Sequence, residues 1–315
     1  MISPLPPNRV ILGTPASPVA MAQAAQVAGL LEEVHPHLAV HYADLAVGAA
    51  EPAPSRRGSA RTDLHRLGQL ALTEYRVDFT VSSGKDMPAE GEQDPDLTVA
   101  AVLDRDDPRD ALVLPTGQAA LTLAELPRGA VVGTSSARRT AQLHTAAPHL
   151  TVRPLAGHLG ERLEQLDART QGLDALLVSH HALRVLDLDD RAAQVLDTET
   201  FLPATGAGFL VVQCRSDDVS VRSLFHQLDR PAALQLWRIE RRVKQALGAT
   251  CRTSCAVHAT WDISNTHIRV AASILATGDA KPTRATVSAP AQDEAALIDE
   301  LVQRLRGNGA DALRT

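Results

Sequence analysis

Residues 9–31 read RVILGTPASPVAMAQAAQVAGLL, and this stretch decides the fold class. Arg9 to Thr14 is a short apolar run with the character of a strand. Ser17-Pro18 then offers an N-cap and a first-turn proline, ahead of Val19, Met21, Ala22, Ala25, Leu30 and Leu31 at helical spacing. A strand that passes through a short loop into a helix is the opening of an α/β unit. The pattern continues outward. Leu38 to Tyr42 reads as a strand, Leu64 to Thr73 as a helix and Val77 to Val81 as a strand, followed by a polar loop from Ser82 to Pro95. That loop leaves a strand's C-terminal end, where open α/β sheets hold their ligands. Gly48 to Arg61 is rich in Ala, Pro, Ser, Gly and Arg without any period and is predicted to be a mobile loop.

From about Arg109 the theme repeats, with strands expected near Ala111 to Leu114, Ala130 to Gly133, Thr151 to Pro154 and Ala175 to Val178. Thr134-Ser135-Ser136 caps a helix through His144, Gly157 opens another through Leu166, and His180 to Leu186 forms a third. The chain returns through Leu202-Pro203-Ala204-Thr205-Gly206-Ala207-Gly208 into an apolar strand, Phe209 to Gln213. A third unit starts near Ser223. It holds a helix from Ala232 to Leu247, strands at Ala256 to Ile263, Ile268 to Leu275 and Arg284 to Ser288, and a helix from Asp293 to Arg306.

The 315 residues suffice for two or three domains. Hydrophobic residues are 44% and charged residues 22%, as in an ordinary globular chain, and no apolar run reaches the ~18 residues of a membrane span. The N-terminal MISPLPP has neither the basic nor the apolar region of a secretory signal, so a cytoplasmic location is expected. Cys214, Cys251 and Cys255 are too few for a disulfide framework, so a cysteine that matters should act as a thiol. A net charge of −6, with only four Phe, two Trp and two Tyr, argues against a general nucleic-acid binder.

Gly133-Thr134-Ser135-Ser136-Ala137-Arg138-Arg139 sets a strand end, hydroxyls and a helix N-terminus beside two guanidinium groups, the make-up of a carboxylate or phosphate site. The alternative is a plain Ser N-cap with solvated arginines that add little to packing. Arg162, one turn into the helix after Gly157, and Arg109 in Asp106-Asp107-Pro108-Arg109-Asp110 are candidates for the same cleft. In Ser83-Gly84-Lys85-Asp86-Met87-Pro88 a carboxylate stands beside a cation, so Asp86 is either a proton donor and cation stabiliser or a solvated turn residue. Cys251, in a small polar loop between a helix and a strand, is either an accessible nucleophile or a packing residue. His180-His181 and His35-Pro36-His37 lack a third ligand at a recognisable spacing, and no metal is expected. Gly206-Ala207-Gly208 lacks the third glycine of a dinucleotide fingerprint, and no GxxxxGK[ST] occurs.

Taken in order, five segments resemble the porphobilinogen deaminase, or hydroxymethylbilane synthase, family. Val81 to Pro88 resembles V-H-S-x-K-D-x-P, and Asp106 to Ala111 resembles E-D-P-R-D-A. Val132 to Arg139 resembles V-G-T-S-S-x-R-R, followed by Leu155-Ala156-Gly157-His158 and Arg162-Leu163 for L-R-G-N and R-L. Leu202 to Gly208 resembles L-P-A-x-G-Q-G, and Glu240-Arg241 with Cys251 matches E-R…G-G-C. This chain departs from the family at Pro15 and Ala156, where arginines are expected, at Ser82 for histidine, at Ala207 for glutamine, and at Ala249 and Thr250 for two glycines. Each missing arginine removes a charge-assisted contact of ~1.5–3 kcal/mol to a carboxylate.

The resemblance implies two α/β domains like those of periplasmic binding proteins, with a cleft between them, and a small C-terminal α+β domain. Its domains would be 1–105 with 203–222, 106–202, and 223–315. It implies a transferase that deaminates porphobilinogen and joins the units into a linear tetrapyrrole on a dipyrromethane cofactor, held as a thioether by Cys251. Asp86 and Lys85 would be catalytic. Ser83, Ser135, Arg138, Arg139 and Arg162 would bind the cofactor, and Ser17, Arg109, Thr134 and Gly157 the substrate. The expected partner is a small molecule only, with no nucleic acid or membrane, and the protein is expected to be a monomer. Two alternatives stand beside this: a paralogue on the same scaffold with another substrate or fewer condensation steps, and a non-catalytic binder of small carboxylates.

Overall fold

The computed structural model describes residues 7–46, 60–88, 93–248, 254–275 and 282–307, which divide into two compact units. Unit 1 comprises 1–105 and 208–235, and unit 2 comprises 106–207 and 236–315.

Unit 1 opens with β1 (Arg9–Thr14), α1 (Pro18–Val34), β2 (Ala39–Asp44), α2 (Ala60–Thr73), β3 (Phe79–Ser83) and β4 (Leu97–Val102). Ser17 caps α1 by accepting the Ala20 N–H at 3.3 Å, and Pro18 takes the first helical position. The helix buries Ala24, Val27, Ala28 and Leu31, one face at helical spacing, against Val10 and Leu12 of β1. Ile11, one residue out of phase, faces the second cluster under α2, built on Leu67, Leu72 and Val77.

Unit 2 carries β5 (Asp110–Val113), β6 (Val131–Gly133), α3 (Ala137–Ala146), β7 (Thr151–Arg153), α4 (Leu159–Asp167), β8 (Ala175–Ser179), α5 (His180–Arg184) and β9 (Ala192–Val195). The chain then supplies β10 (Leu210–Arg215) and α6 (Val219–Leu224) to unit 1, and α7 (Pro231–Ala246), which ends among unit 2's residues. β11 (Ser254–Trp261), β12 (His267–Leu275), β13 (Thr283–Pro290) and α8 (Glu294–Gly307) complete unit 2.

The first two sheets share one topology. Their orders are β2-β1-β3-β10-β4 and β7-β6-β8-β5-β9. In each, three parallel strands are followed by one antiparallel strand, β10 or β5, and then an edge strand. The antiparallel strand enters from a distant part of the chain, as the return after Gly208 suggests. All six residues of β10 are buried, the condition of a strand covered on both faces. The third sheet is the antiparallel meander β11-β12-β13, with α8 packed on β12 and β13 and α3 on β11 and β12.

The structure adds two strands that the sequence pattern did not reveal. Both are sheet edges: β4, with the alanine-rich sequence LTVAAV, and β9, with AAQV. Alanine is a poor strand former, and the two owe their state to pairing with β10 and β5. β3 runs on through Ser83, so Ser82 and Ser83 are strand rather than loop. Of the loop expected from Gly48 to Arg61, residues 47–59 lie outside the described residues, while Ala60 and Arg61 already belong to α2.

Phe79 of β3 meets Phe225, just past α6, edge to face with ring centroids 5.0 Å apart, and both are fully buried. This contact joins the first segment of unit 1 to the returning one. Phe79→Ala is therefore expected to lower stability by about 3–5 kcal/mol, read from urea unfolding.

Candidate active site

In unit 1, β1 and β3 are parallel neighbours, so their C-terminal ends open on the same sheet edge. The end of β1 leads through Thr14 and Pro15 to the Ser17 cap. The end of β3 leads into Gly84-Lys85-Asp86. Two backbone bonds hold that loop: Gly84 N–H donates to the Phe209 carbonyl at 2.8 Å, and Asp86 N–H to the Ser83 carbonyl at 2.9 Å. Ser83 is buried, while Lys85 and Asp86 are half-buried. Arg105 stacks on the ring of Phe209 at 4.5 Å, which the sequence pattern gave no reason to expect.

In unit 2, β6, β7 and β8 likewise end on one edge, and Asp110 arrives there because it pairs with Ser179 across the antiparallel β5. Ser136 caps α3, and the first turn of that helix brings Arg138 and Arg139 onto Asp110. Arg138 donates to Asp110 Oδ2 at 2.6 Å, and Arg139 to Oδ1 at 2.9 and 2.7 Å. Arg138 also donates to the Leu202 carbonyl at 2.6 Å, and Arg139 to the Leu177 carbonyl at 3.1 Å. The solvated alternative for these arginines is overturned: Arg138 is only 7% exposed and Asp110 2%. Burial alone would push the Asp110 carboxyl up, but the two guanidiniums outweigh it and hold the group below the ordinary carboxylate range. Two cations on one anion leave this cluster net positive.

The remaining predicted residues of unit 2 take more local roles. Ser135 both donates to the Leu155 carbonyl and accepts the Leu155 N–H at 2.9 Å, tying the loop after β6 to the loop after β7. Buried Thr134 accepts the Ser136 N–H through its hydroxyl at 3.3 Å. Gly157 sits at φ +101°, and a Cβ there would meet the Glu161 carboxylate. The helix itself opens one residue later than expected, on a His158–Glu161 capping box. Arg162 lies half-buried in the first turn of α4. Arg109, 41% exposed, grips Asp107 through Nε and Nη2 at 2.6–3.0 Å. His180 holds Asp107 and His181 holds Asp106, each at 2.8 Å, so this histidine pair serves to fix carboxylates. His35 instead reaches the Leu224 carbonyl at 2.8 Å.

Sequence inspection missed Gln142, which clamps Leu202 by accepting its N–H at 2.7 Å and donating to its carbonyl at 3.0 Å. A buried glutamine on a helix carries no pattern that marks it. Of the cysteines, burial pushes the Cys214 and Cys255 thiols up to about 12. Cys251 lies outside the described residues.

Because the Asp110 carboxyl is held below its unfolded value, its contribution to stability is complete above about pH 4 and is lost as the pH falls through the folded-state value. Asp110→Asn leaves two buried cations without their anion and is expected to cost about 3–5 kcal/mol at pH 7. Urea unfolding across pH 3 to 7 checks both points: the wild type should lose stability on acidification, and the variant should lose less.

The match to known proteins spans nearly the whole molecule. Residues 10–223 match the family model described as "Porphobilinogen deaminase, dipyromethane cofactor binding domain". A porphobilinogen deaminase from Laribacter hongkongensis is 32% identical over 308 residues, 96% of each chain. One from Paraburkholderia phytofirmans is 34% identical over 97% of this chain and 88% of its own, and one from Acidithiobacillus ferrooxidans is 37% identical over 81% and 82%. With its aspartate loop at the end of β3 and its arginine pair at the start of α3, this chain belongs to the porphobilinogen deaminase family.

Proposed function

We propose that the protein is a hydroxymethylbilane synthase, a transferase that removes ammonia from porphobilinogen and links the resulting units into a linear tetrapyrrole. The observation that carries this reading is the placement of Asp86, a half-buried carboxylate on a loop that backbone bonds from Gly84 and Asp86 tie to Phe209 and to the end of β3. When the aminomethyl C–N bond of the substrate breaks, the electron pair leaves with ammonia and the pyrrole carries a positive charge. Asp86 stabilises that cation, with Lys85 beside it to orient the loop's charge. The net positive cluster of Arg138, Arg139 and Asp110 suits carboxylate side chains, and Arg162, Ser17 and Arg109 extend the set of candidate contacts.

The cofactor of the family, dipyrromethane, supplies a nucleophilic pyrrole as the primer for chain growth. A thioether needs a reachable, reactive thiol, and the buried Cys214 and half-buried Cys255, both with pKa pushed up to about 12, do not fit. Cys251, the position that matches the family's cofactor cysteine in E-R…G-G-C, is the residue proposed to carry the thioether, and Ser83, Ser135, Arg138, Arg139 and Arg162 are those proposed to hold the cofactor's polar groups. Division into three domains, 1–105 with 203–222, 106–202, and 223–315, belongs to the same reading and is supported by one sheet in each. So does a monomer in the cytoplasm, a compartment that keeps the attachment thiol reduced. Among the described residues no helix is long and apolar enough to cross a membrane.

A second reading, a paralogue that joins fewer units, is favoured by Ala156, exposed between β7 and α4 where the family carries an arginine. Product length after reaction with porphobilinogen separates the two: four units for the synthase, fewer for the paralogue.

The intact protein is expected to exceed its sequence mass by two deaminated porphobilinogen units. Cys251→Ser should abolish the increment while Cys255→Ser keeps it, and iodoacetamide should label Cys251 of the unloaded protein before Cys214 or Cys255. An unmodified wild type after incubation with porphobilinogen would remove this reading. Asp86→Asn keeps the size of the side chain and removes its charge, so kcat should drop by roughly 10²–10³ with the melting temperature unchanged.

A further inference from the structure

So far Phe209 has lent only its carbonyl to the Asp86 loop, yet its ring is fully buried at the point where the chain re-enters unit 1. Gly208, at φ +83°, turns the chain into it. In the register of β10 with β3, Leu210 stands opposite Ser83. The Gly84 N–H bond to the Phe209 carbonyl at 2.8 Å carries this pairing one residue further, so Phe209 faces Gly84 across the ladder. On the other side of β10, Leu103 N–H donates to the Leu210 carbonyl at 3.0 Å, and two residues later the Arg105 guanidinium lies 4.5 Å from the centre of the Phe209 ring. Phe209 is thus held from β3, from the segment after β4 and by a cation on its face. Asp86 lies two residues beyond Gly84, with its own N–H on the Ser83 carbonyl at 2.9 Å.

We propose that Phe209 is a positioning residue for Asp86: its buried ring, with Arg105 stacked on it, fixes the carbonyl to which the turn bearing the carboxylate is tied. The inference rests on the role proposed for Asp86 as the group that stabilises the substrate-derived cation. Glycine brings no side chain to the end of β3, so the start of the turn takes its place from the backbone to which it is bonded. An aromatic residue directly across from a strand glycine steadies such a position. Leucine at 209 would fill part of the space but offers no flat face to the guanidinium, and the backbone would shift with the smaller side chain. Stabilisation of a developing charge depends on where the carboxylate stands, and displacement by about 1 Å costs of the order of 10²-fold in rate. The ring acts through the backbone and not on the substrate.

The test uses the full-length protein as the wild type, Phe209→Leu, Asp86→Asn and the double variant, with porphobilinogen as substrate, well below each melting temperature. Turnover is expressed per cofactor-loaded molecule, counted by intact mass. Amide hydrogen exchange is read at Gly84 and Asp86, with the amides of β1 as the reference. In Phe209→Leu, exchange at Gly84 and Asp86 should rise at least about tenfold against an unchanged reference. In the same variant kcat should fall at least about tenfold with KM within about twofold of the wild type. Because Phe209 acts through Asp86, adding Phe209→Leu to Asp86→Asn should slow turnover by less than about twofold more. Phe209→Met, which keeps most of the volume and also loses the flat ring, serves as the readout if the leucine variant does not fold. A merely structural role would lower the melting temperature, raise exchange in β1 as well and slow both backgrounds by the same factor. That result, or wild-type kcat in the folded Phe209 variants, overturns the role of Phe209, while a slow Asp86→Asn leaves that of Asp86 standing. An Asp86→Asn variant as fast as the wild type, or a wild type without turnover, overturns both.

Discussion

The rest of unit 2 depends on one buried carboxylate. Asp110 reaches the strand edge because β5 runs against its neighbours, and there it meets the first turn of α3. Moving three charges out of water is costly, and only near-ideal geometry with every donor engaged makes such a cluster tolerable. Arg138 and Arg139 fill both oxygens of Asp110, and each donates once more, to the carbonyls of Leu202 and Leu177. The position of the arginines is thus fixed to within a hydrogen bond. They are a preorganised positive cluster, and they also hold α3 to the sheet and to the returning chain.

The same device recurs wherever the chain must return. In unit 1, Arg215 at the end of β10 donates to the Leu72 and Val77 carbonyls and pairs with Asp78 and Asp218, stitching the returning strand to the end of α2 and to the residues just before β3. In unit 2, Gln142 and Arg138 hold Leu202 on one side, and Glu240 holds Gly206 a few residues on. Long-range return of a chain offers few local hydrogen-bond partners. Buried side chains with several donors or acceptors supply them, and each such bond leaves a neighbouring backbone group satisfied that would otherwise be costly to bury. The motifs that mark the family coincide with these clamps: Asp110 in the D-P-R-D-A segment, Arg138 beside the paired hydroxyls, Gly206 in L-P-A-T-G-A-G and Glu240 in the E-R pair. Arg138 and Glu240 among these motif residues thus bind backbone groups directly.

The amino-acid order by itself determined the α/β alternation, the α1 cap at Ser17-Pro18, the loop after β3 with Lys85 and Asp86, and the family. These are local or ordered features: an N-cap and a 3.6-residue period are complete within one turn or two of chain, and five motifs in one order survive without any coordinates. It pointed also to Arg138 and Arg139 as cations at a helix start. What only the tertiary structure decided is where those charges go. Asp110 is 28 residues from Arg138, and Leu202 is 64 away, so no spacing rule links them. The edge strands β4 and β9 were equally out of reach, because their state comes from pairing with strands brought in from elsewhere. Burial set the two arginines on one shared carboxylate, and a buried charge takes its partner from whatever the fold places within 3 Å of it, a distance that the order of residues does not contain.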